Sequence, residues 1–355
     1  MKKFFFLSVA ATLICSLSFA KIWRVNNNPG FSANFVTAQQ AHDSVAVLAG
    51  DTLYFEHSGT TYGNLTMTKR LTIIGAGDYL YANPGLQYSI EPPRLTEVVM
   101  RSTATNSYFS ITCKILTDSA DNVTITRSRI LTDINMAAVS NCTISNCFIG
   151  GTVSIQAITL SNPCGLRGCV GLSIVNNIVL GAITQGAIGY SSLCIGGQVL
   201  FPHSVAVINN SVSARISING TAYNNIYGTM RVSGGTPVNN NISTSGQSGT
   251  ERETWPGSAQ TFTTIESGNG NQYSQTLANI YATGPALVDT SYRLKPLTSP
   301  ALGAGTGGVD VGATGGINPY RFGLTPAIPA IYKLNIAPAA NGNSIGVSVS
   351  TRSNN

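Results

Sequence analysis

Five residues within a short stretch carry the densest chemistry in the chain: Asp118, Asp121 and Asp133, with Arg127 and Arg129. Carboxylates on neighbouring turns can gather a divalent cation, and a basic group beside it can take a proton, which is what lyase chemistry uses. A plainer use competes. Asp118 and Asp121 suit turns, where a short carboxylate accepts backbone N–H groups, and the two arginines suit the outward side of a strand. The plainer use accounts for them more simply, because the acids then run out. From position 134 to 250 there is not one Asp or Glu, and the basic groups there are Arg167, Arg215, Arg231 and His203. Glycoside hydrolysis needs two carboxyl groups about 5–9 Å apart, and a Ca2+ cage needs several oxygen ligands. That stretch supplies neither.

Other groups point to structure first. His42 and His57 have no evident carboxylate partner and read as surface histidines. Tyr79, Tyr81 and Tyr88 can form an aromatic platform for sugar rings, although loop packing explains them as well. Gly75-Ala-Gly77 follows a strand but precedes no helix, so it is a turn and not a nucleotide loop. Neither a cofactor nor a metal is expected. Asp310 suits a turn near the chain's end.

Lys2, Lys3, the apolar run Phe4 to Leu17 and the small-x-small triplet Ser18-Phe19-Ala20 have the layout of a secretory leader, cut before Lys21. The expected location is extracellular or cell-surface, with no transmembrane segment. Six cysteines remain beyond the leader: Cys113, Cys142, Cys147, Cys164, Cys169 and Cys194. An even count in an exported chain suggests disulfides, of which six cysteines permit about fifteen connectivities. Cys147 and Cys194 equally suit burial as free thiols. Charged residues make up only 10% of the chain and the formal charge is +6. Without Lys2 and Lys3, 18 basic and 14 acidic residues leave +4. No Lys/Arg run exceeds two, so nucleic acid is not an expected partner. Extracellular polysaccharide is, and the sequence leaves the oligomeric state open.

The elements that must position these groups are mostly short strands. Thr37 with Gln40 makes a capping box, and Ala38, Ala41, Val45 and Leu48 recur at helical intervals up to Gly50, which predicts one helix over 38–49. Beyond it, Ile144, Ile174 and Val207 each lead into an asparagine-bearing turn. Asn146, Asn177, Asn210, Asn225 and Asn241 are separated by 31, 33, 15 and 16 residues. Constant motifs at unequal periods indicate coils of a solenoid, some with outward loops, and asparagines stacked at equivalent turns. Residues 244 to 283 lose the rhythm and read as a loop or cover.

Gly50-Asp-Thr-Leu53, Tyr62, Leu65 and Lys69-Arg-Leu-Thr-Ile-Ile-Gly75 closely resemble the entry of right-handed parallel β-helix proteins of pectate-lyase-like type, in which a helix caps the open end. Ser299-Pro-Ala-Leu-Gly-Ala-Gly305 with Val309-Asp-Val-Gly-Ala313 is similar to the terminal coil of bacterial secreted surface β-helix proteins. The resemblance implies an all-β chain: a leader over 1–20, an N-terminal strand and capping helix over 21–50, the parallel β-helix over 51–316, and a small C-terminal β extension over 317–355. Such folds serve polysaccharide lyases, galacturonan hydrolases and pectin esterases, so the fold alone does not fix an activity. The acid-free coils favour a non-catalytic protein, glycan-binding, adhesive or structural. The alternative is a lyase or glycoside hydrolase with a divergent site near Asp118, Asp121 and Asp133. An ice-binding solenoid would need a regular Thr-x-Thr array, and Thr66-x-Thr68 and Thr124-x-Thr126 do not repeat at coil spacing in the sequence.

Overall fold

The computed structural model describes residues 20–78, 91–156, 158–159, 166–185, 204–218, 220–233, 237–246, 250–254, 261–264, 269–283, 288–338 and 345–352. Residues 1–19 of the leader, Tyr79, Tyr81, Tyr88, Cys164, Cys194 and His203 lie outside them.

Alternation of apolar and polar residues in runs of three or four makes strands with one buried face. In Thr124–Thr126, Thr143–Ser145 and Leu172–Val175 the isoleucines Ile125, Ile144 and Ile174 point inward, fully buried. No such strand can bury its apolar side alone, so each lies on its counterpart one coil away. Ten strands from Ile22–Val25 to Val238–Asn239 form one parallel sheet in this way. Its inward file runs Leu53, Ile73, Phe109, Ile125, Ile144, Ile174, Val207, Ala222 and Val238. Burying one such side chain is worth about 1.5–3 kcal/mol. The chain is a right-handed parallel β-helix.

Each coil has three faces. In one coil, Thr124–Thr126 lies on the first, Arg129–Ile130 on the second and Ile134–Ala137 on the third. The first corner holds two columns of turn residues. Arg127, Asn146, Asn176, Asn209, Asn224 and Asn240 all have positive φ, between 47° and 57°, a conformation asparagine tolerates. The residues after them point inward as a ladder. Asn177, Asn210, Asn225, Asn241 and Asn271 each accept, through Oδ1, the backbone N–H of the preceding coil's ladder residue at 2.9–3.0 Å. The sequence alignment was therefore one residue out at Asn146. Thr143 pairs with Ser173, so Asn146 aligns with Asn176, and Cys147 takes the ladder position. Cys147 can do so because its Sγ donates to the carbonyls of Ser145 and Ile125.

Further expectations change. The helix spans only Ala38–Asp43, with Thr37 Oγ1 accepting from Gln40 N. It stops because Ser44 turns to an extended conformation and Asp51 Oδ2 draws in Leu48 N at 2.9 Å. Val47 is buried instead, while Val45 and Leu48 are exposed. The buried His42 pairs Nδ1 with Asp43 and accepts Thr68 N at Nε2, 3.0 Å away. Of the stretch expected to be a loop or cover, Thr250–Thr254 pairs in parallel with Ile226–Ser233 and antiparallel with Thr261–Thr264, Asn271 completes the ladder, and Ile280 and Tyr281 are buried against the outward side of the second face.

The phrase expected as a terminal coil runs instead along the outside. Residues 288–325 form a strap, which from Pro300 to Thr325 retraces the helix axis. Asn240 Nδ2 donates to Thr306 Oγ1, Asn224 Oδ1 accepts Thr306 N, and Asn176 Nδ2 donates to the carbonyls of Ala313 and Gly315. Asn146 Nδ2 reaches Asn318 O, and Asp78 N bonds Gly323 O at 3.2 Å. The outer asparagine column thus clasps the strap. Under it, Phe148, Ile178, Ile226 and Ile242 point outward from the second face and are buried with Tyr281, Tyr292, Val311 and Tyr320. After the strap, Ala330–Pro338 and Ile345–Arg352 form an antiparallel hairpin.

Candidate functional site

The candidate acids and arginines are distributed over all three corners of the coil. Asp118 ends the strand Thr112–Asp118 at the third corner and is fully buried. Its Oδ1 accepts Ala120 N at 2.9 Å, and Oδ2 lies 3.8 Å from Cys142 Sγ. Asp121, in the same corner, accepts Ser140 N of the next coil at 2.8 Å. Asp133 sits at the second corner and accepts Thr152 N at 2.7 Å. Arg127 and Arg129 flank the first corner, where Arg127 Nη1 donates to Thr325 O of the strap and Arg129 Nη1 pairs with the buried Asp78 at 3.5 Å. Each carboxylate thus accepts a turn N–H, and each arginine engages the strap side. Among the described residues, no three His, Cys, Asp or Glu side chains gather as metal ligands would.

Burial pushes the Asp118 carboxyl up to about 7. Because this folded-state value lies above the ordinary one of about 4, the folded chain keeps a proton that the unfolded chain releases. Stability supplied by the neutral carboxyl is full at low pH and declines as pH rises from about 4 to about 7, then levels off. Melting curves at pH 4.5 and 8 are expected to show the wild-type chain losing a few kcal/mol between them, and Asp118→Asn, which keeps the acceptor for Ala120 N, losing far less. An unchanged pH slope in the variant would show that other groups set it.

The described thiols have a structural role. Cys113, Cys142 and Cys147 are buried free thiols, so the disulfide option fails at these three positions, which pack as small hydrophobes. Burial pushes Cys142 and Cys147 up to about 12 and Cys113 still higher, which leaves them without thiolate character at neutral pH. Cys169 Sγ donates to Met136 O and Gln156 O.

What the coils present outward is a line of hydroxyl groups that sequence spacing concealed. On the first face Thr52, Thr72, Tyr108, Thr124, Thr143 and Ser173 are register partners in consecutive coils, followed by Ala206 and Thr221. Neighbouring members are separated by the parallel-strand spacing of about 4.8 Å. Thr126 and Ser145 form a second file beside the first, with Ser145 Oγ donating to Thr126 Oγ1 at 3.0 Å. Thr124-x-Thr126 is matched one coil on by Thr143-x-Ser145, because the intervening loops change length while the strand register does not. The aligned positions of the next coil are Ser173 and Val175, so no regular Thr-x-Thr array forms here. Tyr54 and Tyr223 occupy outward positions near the two ends. Across Ser173 and Thr221 the surface dips into a shallow depression of about 300 Å³, floored by Gly171 and Gly220. A Cβ at Gly220 would collide with the carbonyl oxygen of its register partner Val205, so this strand position requires glycine. From Thr52 to Asn239 the strands of this face carry no charged side chain.

No protein-family model matches the chain, and no curated protein does. Among solved structures it is similar to one described as rhamnogalacturonan lyase, with a TM-score of 0.42 and 12% identity, covering 79% of this chain and 96% of that one. No helix among the described residues is long and apolar enough to cross a membrane.

Proposed function

We propose that this chain is an exported β-helix protein that binds extracellular polysaccharide along the first face without cleaving it. The hydroxyl file of that face is the observation that carries the reading. Hydroxyl groups donate and accept hydrogen bonds without imposing charge, so a periodic line of them matches a polymer that is itself a periodic line of hydroxyls. Outward tyrosines such as Tyr54, Tyr108 and Tyr223 add ring surface with a polar tip. Acid–base cleavage requires a proton donor or acceptor at a fixed place beside the bond, and from Thr52 to Asn239 the strands of this face bring no carboxylate, histidine or lysine. The candidate carboxylates elsewhere hold turns together, Asp118 and Asp121 at the third corner and Asp133 at the second. A rigid face of this kind also serves adhesion at a cell surface.

Calorimetric titration with pectin, alginate and neutral glycans is the test. Saturable binding is expected, weakened at least about tenfold by Thr143→Glu, whose charged side chain would intrude among the hydroxyls and cost over 1.4 kcal/mol. Release of unsaturated uronates or new reducing ends that disappears with Asp118→Ala, Asp121→Ala and Asp133→Ala together would overturn the non-catalytic reading. Absence of binding to every glycan would overturn the glycan reading.

A further inference from the structure

Asp51 closes the first coil in a way that concerns how the chain begins. Its carboxylate is buried, at 5% exposure. Oδ1 accepts the backbone N of Lys21 at 2.8 Å, while Oδ2 accepts Trp23 Nε1 at 2.8 Å and Leu48 N at 2.9 Å. Lys21 O in turn accepts Thr52 N, so Lys21 is fixed on both sides of its α-carbon. Ala20 and Lys21 are nevertheless both exposed, and the peptide bond joining them is the one the leader pattern marks for cleavage.

We infer that Asp51 is a receptor for the new N-terminus: removal of the leader at Ala20–Lys21 leaves an α-ammonium group that pairs with Asp51 and locks the first coil. The inference rests on the leader reading. Hydrolysis by an export peptidase adds one water across the bond, leaving a carboxylate on Ala20 and an amine on Lys21 that takes up a proton at neutral pH. The nitrogen already stands at the distance of a charge-assisted hydrogen bond, a bond about twice as strong as its neutral counterpart. An amide N–H facing Asp51 thereby becomes a cation facing an anion, with no rearrangement of the coil.

The other charged groups nearby are cationic, and one of them, the Lys69 ammonium, donates to Val47 O at 2.6 Å. The Lys21 ammonium lies over the Trp23 ring, 3.6 Å from its centre, and the Arg70 guanidinium abuts Gly50. Burial pushes the Asp51 carboxyl up, but the hydrogen bonds from Lys21 N, Trp23 and Leu48 outweigh it and hold the group below its ordinary value. The carboxylate is thus ionised in readiness. Gly50-Asp51-Thr52 belongs to the entry phrase of the solenoid, so the residue that starts the first full coil also reads whether the leader has been removed.

The test compares two full-length mature chains, one starting at Lys21 and one retaining Ala20, with intact mass measured on the exported protein. The chain starting at Lys21 is expected to melt about 1–2 °C higher at pH 7. The amine gains a partner, so its folded-state value rises. The difference should be complete from the pH at which Asp51 is ionised up to about pH 8, the ordinary value for such an amine, and fade as pH climbs through the raised one. Asp51→Asn should abolish the difference. Equal melting of the two wild-type chains, or a difference that survives in Asp51→Asn, overturns the receptor role. An exported mass that does not begin at Lys21 overturns the inference through the leader reading instead, and the melting comparison separates the two failures.

Discussion

Asn210→Ala is expected to cost about 3–5 kcal/mol of folding stability, the sum of several buried hydrogen bonds left with one partner. Asn210 Nδ2 donates to Ile174 O at 2.8 Å and Ile208 O at 2.9 Å, and its Oδ1 accepts Asn177 N at 2.9 Å. Alanine removes all of these while the backbone groups stay buried away from water, where an unpaired donor or acceptor costs about 1–3 kcal/mol. Asn210→Asp is nearly the same shape but lacks both donors and places charge against carbonyl oxygens, so it should be no better. Urea denaturation of both variants checks this. A loss below about 1 kcal/mol would mean that water replaces the amide, and the ladder would then not be what fixes the coil spacing. Asn146→Ala provides the contrast. Asn146 lies outside the ladder and makes one long bond, of 3.5 Å, to Asn318 O. Its loss should cost well under half as much, chiefly through the strain of alanine at φ 54°.

Tyr292→Ala is expected to release the strap, at about 3–5 kcal/mol for truncating a large buried aromatic. Tyr292 meets Phe148 edge-on at 6.3 Å and Tyr281 at 5.3 Å, and its hydroxyl lies 3.3 Å from Ser213 Oγ. These contacts join the strap to the outward side of the second face. Without them, Phe148, Ile178, Ile226 and Ile242 would meet water as one apolar stripe, and exposed stripes of this kind bind dyes and other chains. Denaturation of the variant should show an early transition with increased dye binding, followed by unfolding of the coils. Limited proteolysis should cut within residues 288–325 before anywhere in the solenoid. A single transition, shifted but undivided, would show that strap and coils unfold as one unit.

The sequence alone fixed much of the architecture. Alternation in Thr124–Thr126 and Thr143–Ser145 required strands with one buried side, and coils that cannot bury a core singly required stacking, because local pattern and burial act over a few residues. Thr37 with Gln40 marked the helix start for the same reason, since a cap is a local hydrogen bond. The helix end was less legible. Asp51 holds the Leu48 backbone N–H outside the helix, and that interaction outweighs the helical spacing of Val45 and Leu48.

Tertiary structure decided whatever depended on register between coils or on contacts distant in the chain. Asn146 and Asn177 look equivalent in sequence because each follows an apolar lead-in. Yet one turns out to face the strap and the other the core, since a shift of one residue reverses the side a side chain occupies. The hydroxyl file escaped notice because loops of unequal length separate residues that backbone pairing brings side by side. The strap was invisible for a related reason: its glycines and small residues are selected by the asparagines they lie against, 66 to 172 positions earlier. Asp118, Asp121 and Asp133 are close in sequence, but a coil of three faces sends them to two different corners, so neighbourhood along the chain did not become neighbourhood in space.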